Sequence, residues 1–407
     1  MPYIIKCWDC DGKIEDPFAD RCPRCGGLLD IEMDLSSLVG IDPYEIRRKP
    51  LGVWRYADFL PVSEERAISL KEGGTPLYDC RNIAKITGIH RIFVKYEGAN
   101  PTGSFKDRGM TVGVTRATEL GVKVVGCAST GNTSASLAAY AAKAGLDCVV
   151  ILPAGKVAAG KLAQAVFFGA KVISIEGSFD DALRIAQELA REKEIYLLNS
   201  INPFRPEGQK TVAFEIIDQL DFQIPDRIFL PVGNAGNIWS VYKALIELRD
   251  VGLIDSIPKL VGVQASGAMP VVMAYREGRK DILPCDNPET VATAIRIGNP
   301  VSGRKALKAI YDTNGCAIEV TDEEILDAQK ILGRLQGIGV EPASAASIAG
   351  LLKMAQEGEI DRDERVVCIC TGNLLKDPDS VIRSFGPTST VPANVESVRK
   401  VIRRAVI

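Results

Sequence analysis

The stretch Asn100–Gly109, with the sequence NPTGSFKDRG, links the run Ile92–Tyr96 to a segment that favours helix. Aromatic and β-branched residues in that run predict a strand, and the Gly/Ser turn ends it. Lys106 then lies just inside the predicted helix. A lysine held among apolar and backbone groups loses its proton more easily than a surface lysine, and a neutral lysine amine can form a Schiff base. The alternative for any one such lysine is an ordinary solvated side chain.

The alternation of a short apolar strand and a helix continues to about residue 370. Strands are predicted at residues 92–97, 124–129, 148–152, 171–175, 196–198, 227–232, 260–264 and 365–370. Helices are predicted at residues 106–121, 132–144, 158–168, 179–191, 206–220, 236–249, 322–336 and 343–356. This order predicts an α/β fold in which helices cover both faces of a mostly parallel sheet, with ligands at the carboxyl ends of the strands.

Length and composition narrow the class of protein. The chain has 407 residues, of which 46% are hydrophobic and 25% charged, as in a soluble globular protein with a large core and at least two lobes. A formal net charge of -3 gives no support for binding nucleic acid or an anionic membrane. The sequence contains no apolar run of membrane-spanning length and no signal-peptide core at its start, so we expect a cytoplasmic protein.

The chain contains a single histidine, His90. A Ser-His-Asp triad and a metal site built on several histidines are therefore nearly excluded. His90 itself is expected to be a plain loop or surface residue. General acid–base chemistry then falls to another side chain, and lysine is the leading candidate.

Residues 1–35 are predicted to form a small zinc-ribbon-like module. Two C-x-x-C pairs, with eleven residues between them, supply Cys7, Cys10, Cys22 and Cys25. Four thiolates at this spacing can close a tetrahedral site around a structural zinc ion, which leaves no open position for a substrate. The alternatives are four unligated cysteines or a redox pair. The other seven cysteines lie mostly in apolar strands and are expected to be buried and free.

Three loops rich in glycine and asparagine each follow a strand and precede a helix. They span residues 129–134 (STGNTS), 233–237 (GNAGN) and 371–373 (TGN). Such loops present backbone N–H groups at the positive end of a helix dipole, which suits a phosphate. Neither the GxxxxGK[ST] pattern nor a G-x-G-x-x-G after the first strand is present. A cofactor that needs both a phosphate cradle and a Schiff-base lysine is pyridoxal phosphate.

Several segments between about residues 70 and 385 resemble the fold-type II pyridoxal-phosphate enzymes, and among these the threonine synthases. The matching runs are EGGTPL at 72–77, NPTGSFKDRGM at 100–110, ASTGNTSA at 128–135, EGQKT at 207–211, LPVGNAGNI at 230–238, ATAIRIG at 292–298, EPASAA at 341–346 and TGNLLKDP at 371–378. The resemblance implies a fold like that of tryptophan synthase β, with two open twisted sheets and helices on both faces. SFK alone would also fit the related dehydratases.

The resemblance also implies roles for individual residues. Lys106 is the Schiff-base and catalytic lysine, Asn132 binds the cofactor's 3'-hydroxyl, and Thr371 faces its pyridine nitrogen. Its phosphate is held by Gly233, Asn234, Ala235, Gly236 and Asn237. The substrate carboxylate lies at Ser129, Thr130 and Thr133, and the substrate phosphate at Asn199, Ser200 and Arg205. An ordinary surface arginine is the alternative for Arg205, although guanidinium grips phosphate well.

The implied reaction converts O-phospho-L-homoserine and water to L-threonine and phosphate by γ-elimination and β-addition of water. A related threonine or serine dehydratase, or a β-replacing synthase, is the nearest alternative. A zinc-ribbon nucleic-acid-binding protein on an inactive scaffold is an alternative of another class. Two features depart from the family pattern: Leu374 replaces an expected glycine, and many relatives lack the cysteine module.

The predicted domain organisation has three parts. Residues 1–35 form the module, and residues 36–390 form the catalytic core with a smaller lobe at roughly 100–205. Residues 391–407 form a tail helix after a linker at 387–392. A homodimer is expected because it is usual in the family.

Overall fold

The structure is a computed structural model that describes residues 2–155, 159–385 and 390–405. The predicted helix start at residue 158 and residues 387–389 of the predicted linker lie outside the described residues. Within the described part, no helix is long and apolar enough to cross a membrane.

The described strands form three sheets. In chain order they are β1 (Tyr3–Cys7), β2 (Lys13–Ile14), β3 (Leu29–Met33), β4 (Leu77–Asp79), β5 (Arg91–Tyr96), β6 (Val124–Ala128), β7 (Asp147–Pro153), β8 (Lys171–Ile175), β9 (Tyr196–Leu197), β10 (Arg227–Pro231), β11 (Lys259–Ala265), β12 (Cys316–Val320) and β13 (Arg365–Cys370). A small antiparallel sheet has the order β2-β1-β3, a six-stranded sheet the order β12-β11-β10-β13-β5-β4, and a four-stranded sheet the order β8-β7-β6-β9. The four-stranded sheet is parallel, and in the six-stranded sheet only the edge strand β4 runs antiparallel to its neighbour.

The described helices connect these strands and cover the sheets. They are α1 (Pro43–Arg47), α2 (Arg81–Thr87), α3 (Lys106–Glu119), α4 (Asn132–Ala144), α5 (Ala159–Phe167), α6 (Phe179–Arg191), α7 (Phe204–Gln209), α8 (Thr211–Gln219), α9 (Gly236–Asp250), α10 (Pro270–Arg276), α11 (Gly303–Asp312), α12 (Asp322–Gln336), α13 (Pro342–Gln356), α14 (Pro378–Phe385) and α15 (Val395–Ala405). Short 3₁₀ helices lie at Ser36–Leu38, Val53–Phe59, Glu64–Arg66, Glu97–Ala99, Thr293–Ile295 and Leu374–Lys376.

Alternate residues of the central strands pack on opposite faces of the six-stranded sheet. In β10, Ile228 and Leu230 join the apolar cluster beneath α8, α9 and α11, whereas Phe229 joins the cluster beneath α2, α12 and α13. Successive side chains of a strand point to opposite faces, so a strand buried on both sides must be apolar throughout. The predicted parallel sheet with helices on both faces is thereby confirmed.

The predicted elements match most of the described ones and fail in two ways. The helices at 132–144, 179–191 and 322–336 and the strands at 171–175 and 365–370 are confirmed to the residue. The single helix predicted at 206–220 is wrong, because α7 and α8 are separate there. The hydroxyl of Thr211 donates to the carbonyl of Gly208 at 2.7 Å, and Ala213 N–H bonds the carbonyl three residues back. The sequence analysis also missed β4 and β12 and the helices α2, α10, α11 and α14.

A buried cluster of four charged side chains ties the start of α3 to the six-stranded sheet. Arg108 donates from Nε to Glu97 at 2.6 Å and from Nη1 to Glu215 at 2.7 Å. Lys95, on β5, donates from Nζ to the other oxygen of Glu215 at 2.7 Å. All four side chains are fully buried, and their two positive and two negative charges cancel. This balance allows charged groups to lie in the core.

Asp30 joins the small N-terminal sheet to the core. Its carboxylate, on β3, accepts from Trp239 Nε1 at 3.0 Å and forms ion pairs with Lys243 at 3.4 Å and Lys305 at 3.1 Å. Trp239 and Lys243 belong to α9 and Lys305 to α11, so one carboxylate holds two core helices against β3. The domain boundaries at residues 35 and 390, and the extent of the smaller lobe, stay predictions.

Replacing Glu215 with glutamine should destabilise the fold strongly. Burial alone would raise the pKa of this carboxyl, but Arg108 and Lys95 hold it well below its ordinary value, so the group is ionised in the folded protein. Glu215→Gln leaves two buried cations facing one carboxylate and should lower the free energy of unfolding by about 3–5 kcal/mol. Urea denaturation followed by circular dichroism measures the change. The control Glu45→Gln removes a half-exposed carboxylate of a surface pair and should leave the midpoint unchanged; equal midpoints for both variants would contradict the role of the cluster.

Candidate active site

The turn that carries Lys106 is held by the loop that follows β13. Phe105 N–H donates to the carbonyl of Thr371 at 2.9 Å, and Ser104 pairs with Gly372 as an isolated antiparallel bridge. Lys106 is the first residue of α3. Since β5 and β13 are adjacent and parallel, the residues that follow them meet at one edge of the sheet, as expected for a ligand site in such a fold.

The amine of Lys106 titrates near neutrality in this position. Burial lowers its pKa, the positive charge of Arg205 lowers it further, and the carboxyl of Glu341 opposes both, with a result of about 7. Its Nζ also lies 4.1 Å from the centroid of the Phe105 ring. A substantial fraction of the amine is therefore neutral and nucleophilic at physiological pH.

Asn132, the first residue of α4, faces Glu341 across the site. Its Nδ2 donates to Glu341 Oε1 at 2.9 Å. Glu341 caps the start of α13, and its backbone N–H bonds the carbonyl of Gly372 at 3.2 Å. The sequence analysis quoted the run that contains Glu341 without giving this residue a role, because nothing in the chain order places it beside residue 132.

Thr371 is buried and its hydroxyl lies 3.0 Å from that of Ser344. The Ser344 hydroxyl accepts from Gly372 N–H at 2.7 Å. Thr371, at the carboxyl end of β13, is thus held in place by Ser344 in the first turn of α13. Ser344 was not predicted as part of the site.

The loop Gly233–Asn237 follows β10, which pairs with β13, so it lies at the same edge of the sheet. Ala235 adopts a left-handed conformation with φ of 66°, and α9 begins directly after it without a side-chain cap. The amide oxygen and nitrogen of Asn237 are buried and have no hydrogen-bond partner in the described part of the chain. Uncapped N–H groups and an unpaired buried amide form a cradle that fits a phosphate.

Arg205, on α7, is buried without a counter-ion in the described part of the chain. Its Nη1 donates to the carbonyl of Leu198 at 3.3 Å, its Nε has no partner, and no carboxylate of the described residues forms an ion pair with it. Burial lowers its pKa to about 10, so it remains charged at neutral pH. The alternative of an ordinary surface arginine is wrong, because the residue is 2% exposed.

The loop 129–134 follows β6 and leads into α4. Ser129, Thr130 and Thr133 are half-buried there. Asn199 makes two hydrogen bonds to the residue that precedes this loop. Its Nδ2 donates to the carbonyl of Ala128 and its Oδ1 accepts from Ala128 N–H, both at 2.9 Å. Its amide therefore supports the loop, whereas the sequence analysis placed it at a substrate phosphate. Ser200, next to it, is half-buried.

Two further charged residues lie near the site and were not predicted. Asp107 accepts from the hydroxyls of Thr102 and Ser136 at 2.6 Å each, and burial raises its pKa to about 6. Lys376 contacts the side chain of Gln164, and burial lowers the pKa of its amine. Both lie within the matching runs at 100–110 and 371–378, but the sequence alone gave them no role because charged residues are usually solvated.

Leu374, where a glycine was expected, is accommodated by Gly339. A side-chain carbon built on Gly339 would lie 2.0 Å from Leu374 Cδ2, so the glycine leaves room for this leucine in its present conformation. The backbone contact is kept, since Leu374 N–H bonds the carbonyl of Gly339 at 3.2 Å.

Comparison with known proteins decides the family. Residues 68–372 match the family described as pyridoxal-phosphate dependent enzyme. The threonine synthase of Methanocaldococcus jannaschii is 61% identical over 383 residues, 94% of each chain, and that of Methanosarcina acetivorans is 57% identical over 401 residues, 98% of each chain. The threonine synthase of Mycobacterium tuberculosis is 51% identical over 84% of this chain and 93% of its own. The chain belongs to the threonine synthases. The predicted family and its cofactor, pyridoxal phosphate, are confirmed.

Solved structures share the fold with this threonine synthase family member. Threonine deaminase isoform 2 of Solanum lycopersicum superposes with a TM-score of 0.68 and 22% identity, covering 83% of this chain and 94% of its own. Maize serine racemase gives a TM-score of 0.64 and 21% identity, covering 90% of this chain and 98% of its own. At this identity the likeness concerns the fold alone, and the predicted fold-type II architecture is confirmed.

Uptake of pyridoxal phosphate by the cofactor-free protein should depend on pH with a midpoint near 7. The neutral amine of Lys106 attacks the aldehyde, and with a pKa of about 7 its neutral fraction rises about tenfold between pH 6 and pH 8. The growth of the visible absorbance of the bound cofactor measures the rate. Lys106→Ala should develop no such band. A rate that keeps rising up to pH 10, as for a solvated lysine, would contradict the assigned environment.

Proposed function

We propose that this chain converts O-phospho-L-homoserine and water to L-threonine and phosphate, with pyridoxal phosphate bound at Lys106. The single observation that carries the substrate assignment is the buried guanidinium of Arg205, which has no counter-ion among the described residues and acts electrostatically on Lys106. A buried arginine that lacks a carboxylate partner suits an anionic group brought by a ligand. Membership of the threonine synthases supports a phosphate as that group.

The residues present fit the cofactor. Asn237 offers unpaired amide atoms, and the loop Gly233–Asn237 offers free N–H groups for the cofactor phosphate. Lys106 would hold the aldehyde carbon, Asn132 the 3'-oxygen and Thr371 the ring nitrogen. When bound, pyridoxal phosphate supplies an electron sink that stabilises negative charge on the substrate carbons.

Lys106 is proposed to move the protons of the reaction. Its Nζ accepts the proton from Cα and then transfers one from Cβ, and phosphate leaves from Cγ with the electron pair of the C–O bond. Cγ receives a proton, the hydroxyl of water adds at Cβ, Cα regains a proton, and the remaining proton leaves on the phosphate. An amine whose pKa lies near 7 can both accept and return a proton at neutral pH, which agrees with a chain that holds one histidine.

Two groups of residues are proposed to hold the substrate. Ser129, Thr130 and Thr133 lie at the start of α4, where hydroxyls and helix N–H groups suit a carboxylate. Arg205 is proposed to bind the substrate phosphate together with Ser200, and Asn199 to hold the loop between the two groups through its bonds to Ala128.

Arg205→Met should impair phosphohomoserine turnover while leaving cofactor uptake intact. A charge-assisted bond is worth enough to lower kcat/KM by about 10- to 100-fold. A phosphate-release assay measures the loss, and the visible absorbance checks that the cofactor is bound. The control Arg249→Met changes an exposed arginine paired with Asp250 and should retain full activity.

Two outcomes would contradict the proposed substrate. One is an unchanged kcat/KM in Arg205→Met. The other is formation of 2-oxobutyrate from threonine without phosphate release from phosphohomoserine, which would favour the dehydratase alternative.

We also propose that Cys7, Cys10, Cys22 and Cys25 hold a structural zinc ion. Their four Sγ atoms all lie within 4.8 Å of one another, with Cys7 and Cys25 at 3.5 Å and Cys10 and Cys22 at 3.7 Å. Sulfurs placed tetrahedrally about 2.3 Å from a zinc ion are about 3.8 Å apart, so the arrangement supports an S₄ site. Such a closed site has no position for substrate. Location in the cytoplasm and assembly into a homodimer stay predictions.

Removing one of these thiolates should remove the metal and loosen the module. Elemental analysis should find about one zinc ion per chain in the native protein and far less in Cys22→Ser, together with a lower melting temperature. Cys285→Ser, which changes a cysteine outside the cluster, serves as the control. Equal zinc content in both variants, or iron in place of zinc, would refute the proposal.

A further inference from the structure

Glu341 is a buried carboxyl with an unusual set of neighbours. It is 4% exposed, and no lysine or arginine of the described residues forms an ion pair with it. Its side chain is bonded to Asn132 at 2.9 Å. A buried carboxyl without an ion pair lowers the stability of the fold, so its presence at position 341 calls for a functional explanation.

The backbone around Glu341 is shaped to let the carboxyl reach Asn132. A side-chain carbon built on Gly372 would lie 2.2 Å from Glu341 Oε1 and 3.5 Å from Asn132 Nδ2. The glycine therefore leaves the space that the carboxyl fills. Since Gly372 directly follows Thr371 and bonds the backbone of Glu341, the carboxyl is fixed to the same loop that holds the turn of Lys106.

The charges that face Glu341 come from two parts of the chain. Lys106 lies on α3, whereas Lys376 ends the 3₁₀ helix after β13 and Asp377 directly follows it. Burial raises the pKa of Glu341 to about 7, against the opposing effects of the Asn132 hydrogen bond and of Lys376. Lys106 is in turn faced by Arg205 from α7, the other charged group that acts on its amine. Lys106 and Glu341 therefore titrate in the same range of pH, because each has a pKa of about 7.

We propose that Glu341 is a positioning residue of the active site, which aims the amide of Asn132 and sets how readily Lys106 loses its proton. A carboxylate accepts hydrogen bonds only, so it draws the NH₂ group of Asn132 to itself and fixes which way the amide points. That NH₂ group has a second hydrogen, which remains free for an acceptor inside the site. The inference rests on the proposed binding of the cofactor at Lys106 and Asn132.

The glutamate's charge and its hydrogen bond can be separated by substitution. Glu341→Gln keeps the length of the side chain and an oxygen that accepts from Asn132, but it removes the negative charge. Glu341→Asp keeps the charge but draws the carboxyl back by one methylene. The matched control is Glu357→Gln, which removes one exposed carboxylate just beyond the other end of α13, about 24 Å away at 1.5 Å per residue.

The measurement is the pH dependence of pyridoxal phosphate uptake by the cofactor-free protein. An opposite charge nearby favours the charged amine, so its loss in Glu341→Gln should move the midpoint for uptake downward by about one pH unit. Glu341→Asp should move it in the same direction by less, because the charge is retained at a greater distance. Glu357→Gln should give the native midpoint, and circular dichroism with thermal melting verifies the fold of each variant.

The possible outcomes distinguish this inference from the proposed function. A native protein that forms no visible band, or a Lys106→Ala variant that forms the native band, would overturn the cofactor assignment itself. The role of Glu341 alone would be overturned if the native band forms but the pH midpoint of uptake is the same in three proteins. These are the native protein, Glu341→Gln and Glu357→Gln. If Glu341→Gln does not fold, the pH midpoint of cofactor uptake by Glu341→Asp tests the proposal instead. A midpoint equal to that of the native protein refutes it.

Discussion

The buried charge cluster around Arg108 is the constraint on which the site depends. The guanidinium clamps two carboxylates from different parts of the chain, Glu97 after β5 and Glu215 on α8. Since Arg108 lies two residues beyond Lys106, this clamp fixes the first turn of α3, and with it the amine, in space. A shared low-dielectric environment makes such a network strong when complete and costly when broken. The position of the Lys106 amine is thus fixed by ion pairs in the core as well as by the turn that precedes it.

Around this anchor, three loops at the carboxyl ends of strands supply the remaining groups. The loop after β10 carries the unpaired amide of Asn237, and the loop after β13 carries Thr371 and bonds the turn of Lys106. The four-stranded sheet contributes from the other side, through Asn132 at the start of α4. Its bond to Glu341 crosses between the two sheets. The site is therefore assembled from both sheets, and each side is held by contacts to the other.

Sequence patterns predicted the parts of the molecule that local chemistry determines. Short β-branched runs and Gly/Asn loops placed most strands and the three phosphate-favouring turns, because turn and helix-start residues act over a few positions. Lys106 was found in the same way, from its place behind a Gly/Ser turn. The strand β12 was missed because Ala317 and Glu319 within Cys316–Val320 weaken its strand signal.

The parts that were missed depend on distant contacts. Asn132 and Glu341 are 209 residues apart in the chain, and nothing local marks them as partners. Lys95, Arg108 and Glu215 read as surface charges until three separate elements bring them together, because charged residues are seldom fully buried. Arg205 was assigned through the family resemblance, but only the structure reveals that it has no counter-ion among the described residues.

The packing of Leu374 against Gly339 limits how this sequence can drift. Leu374 places its Cδ2 atom where a side chain at 339 would begin, so a larger residue at 339 requires the leucine to change its conformation. An alanine at 339 would press on the end of the leucine side chain beside the active loop, and the leucine would have to turn away to relieve the contact. The two positions are thus sterically linked although they lie far apart in the chain.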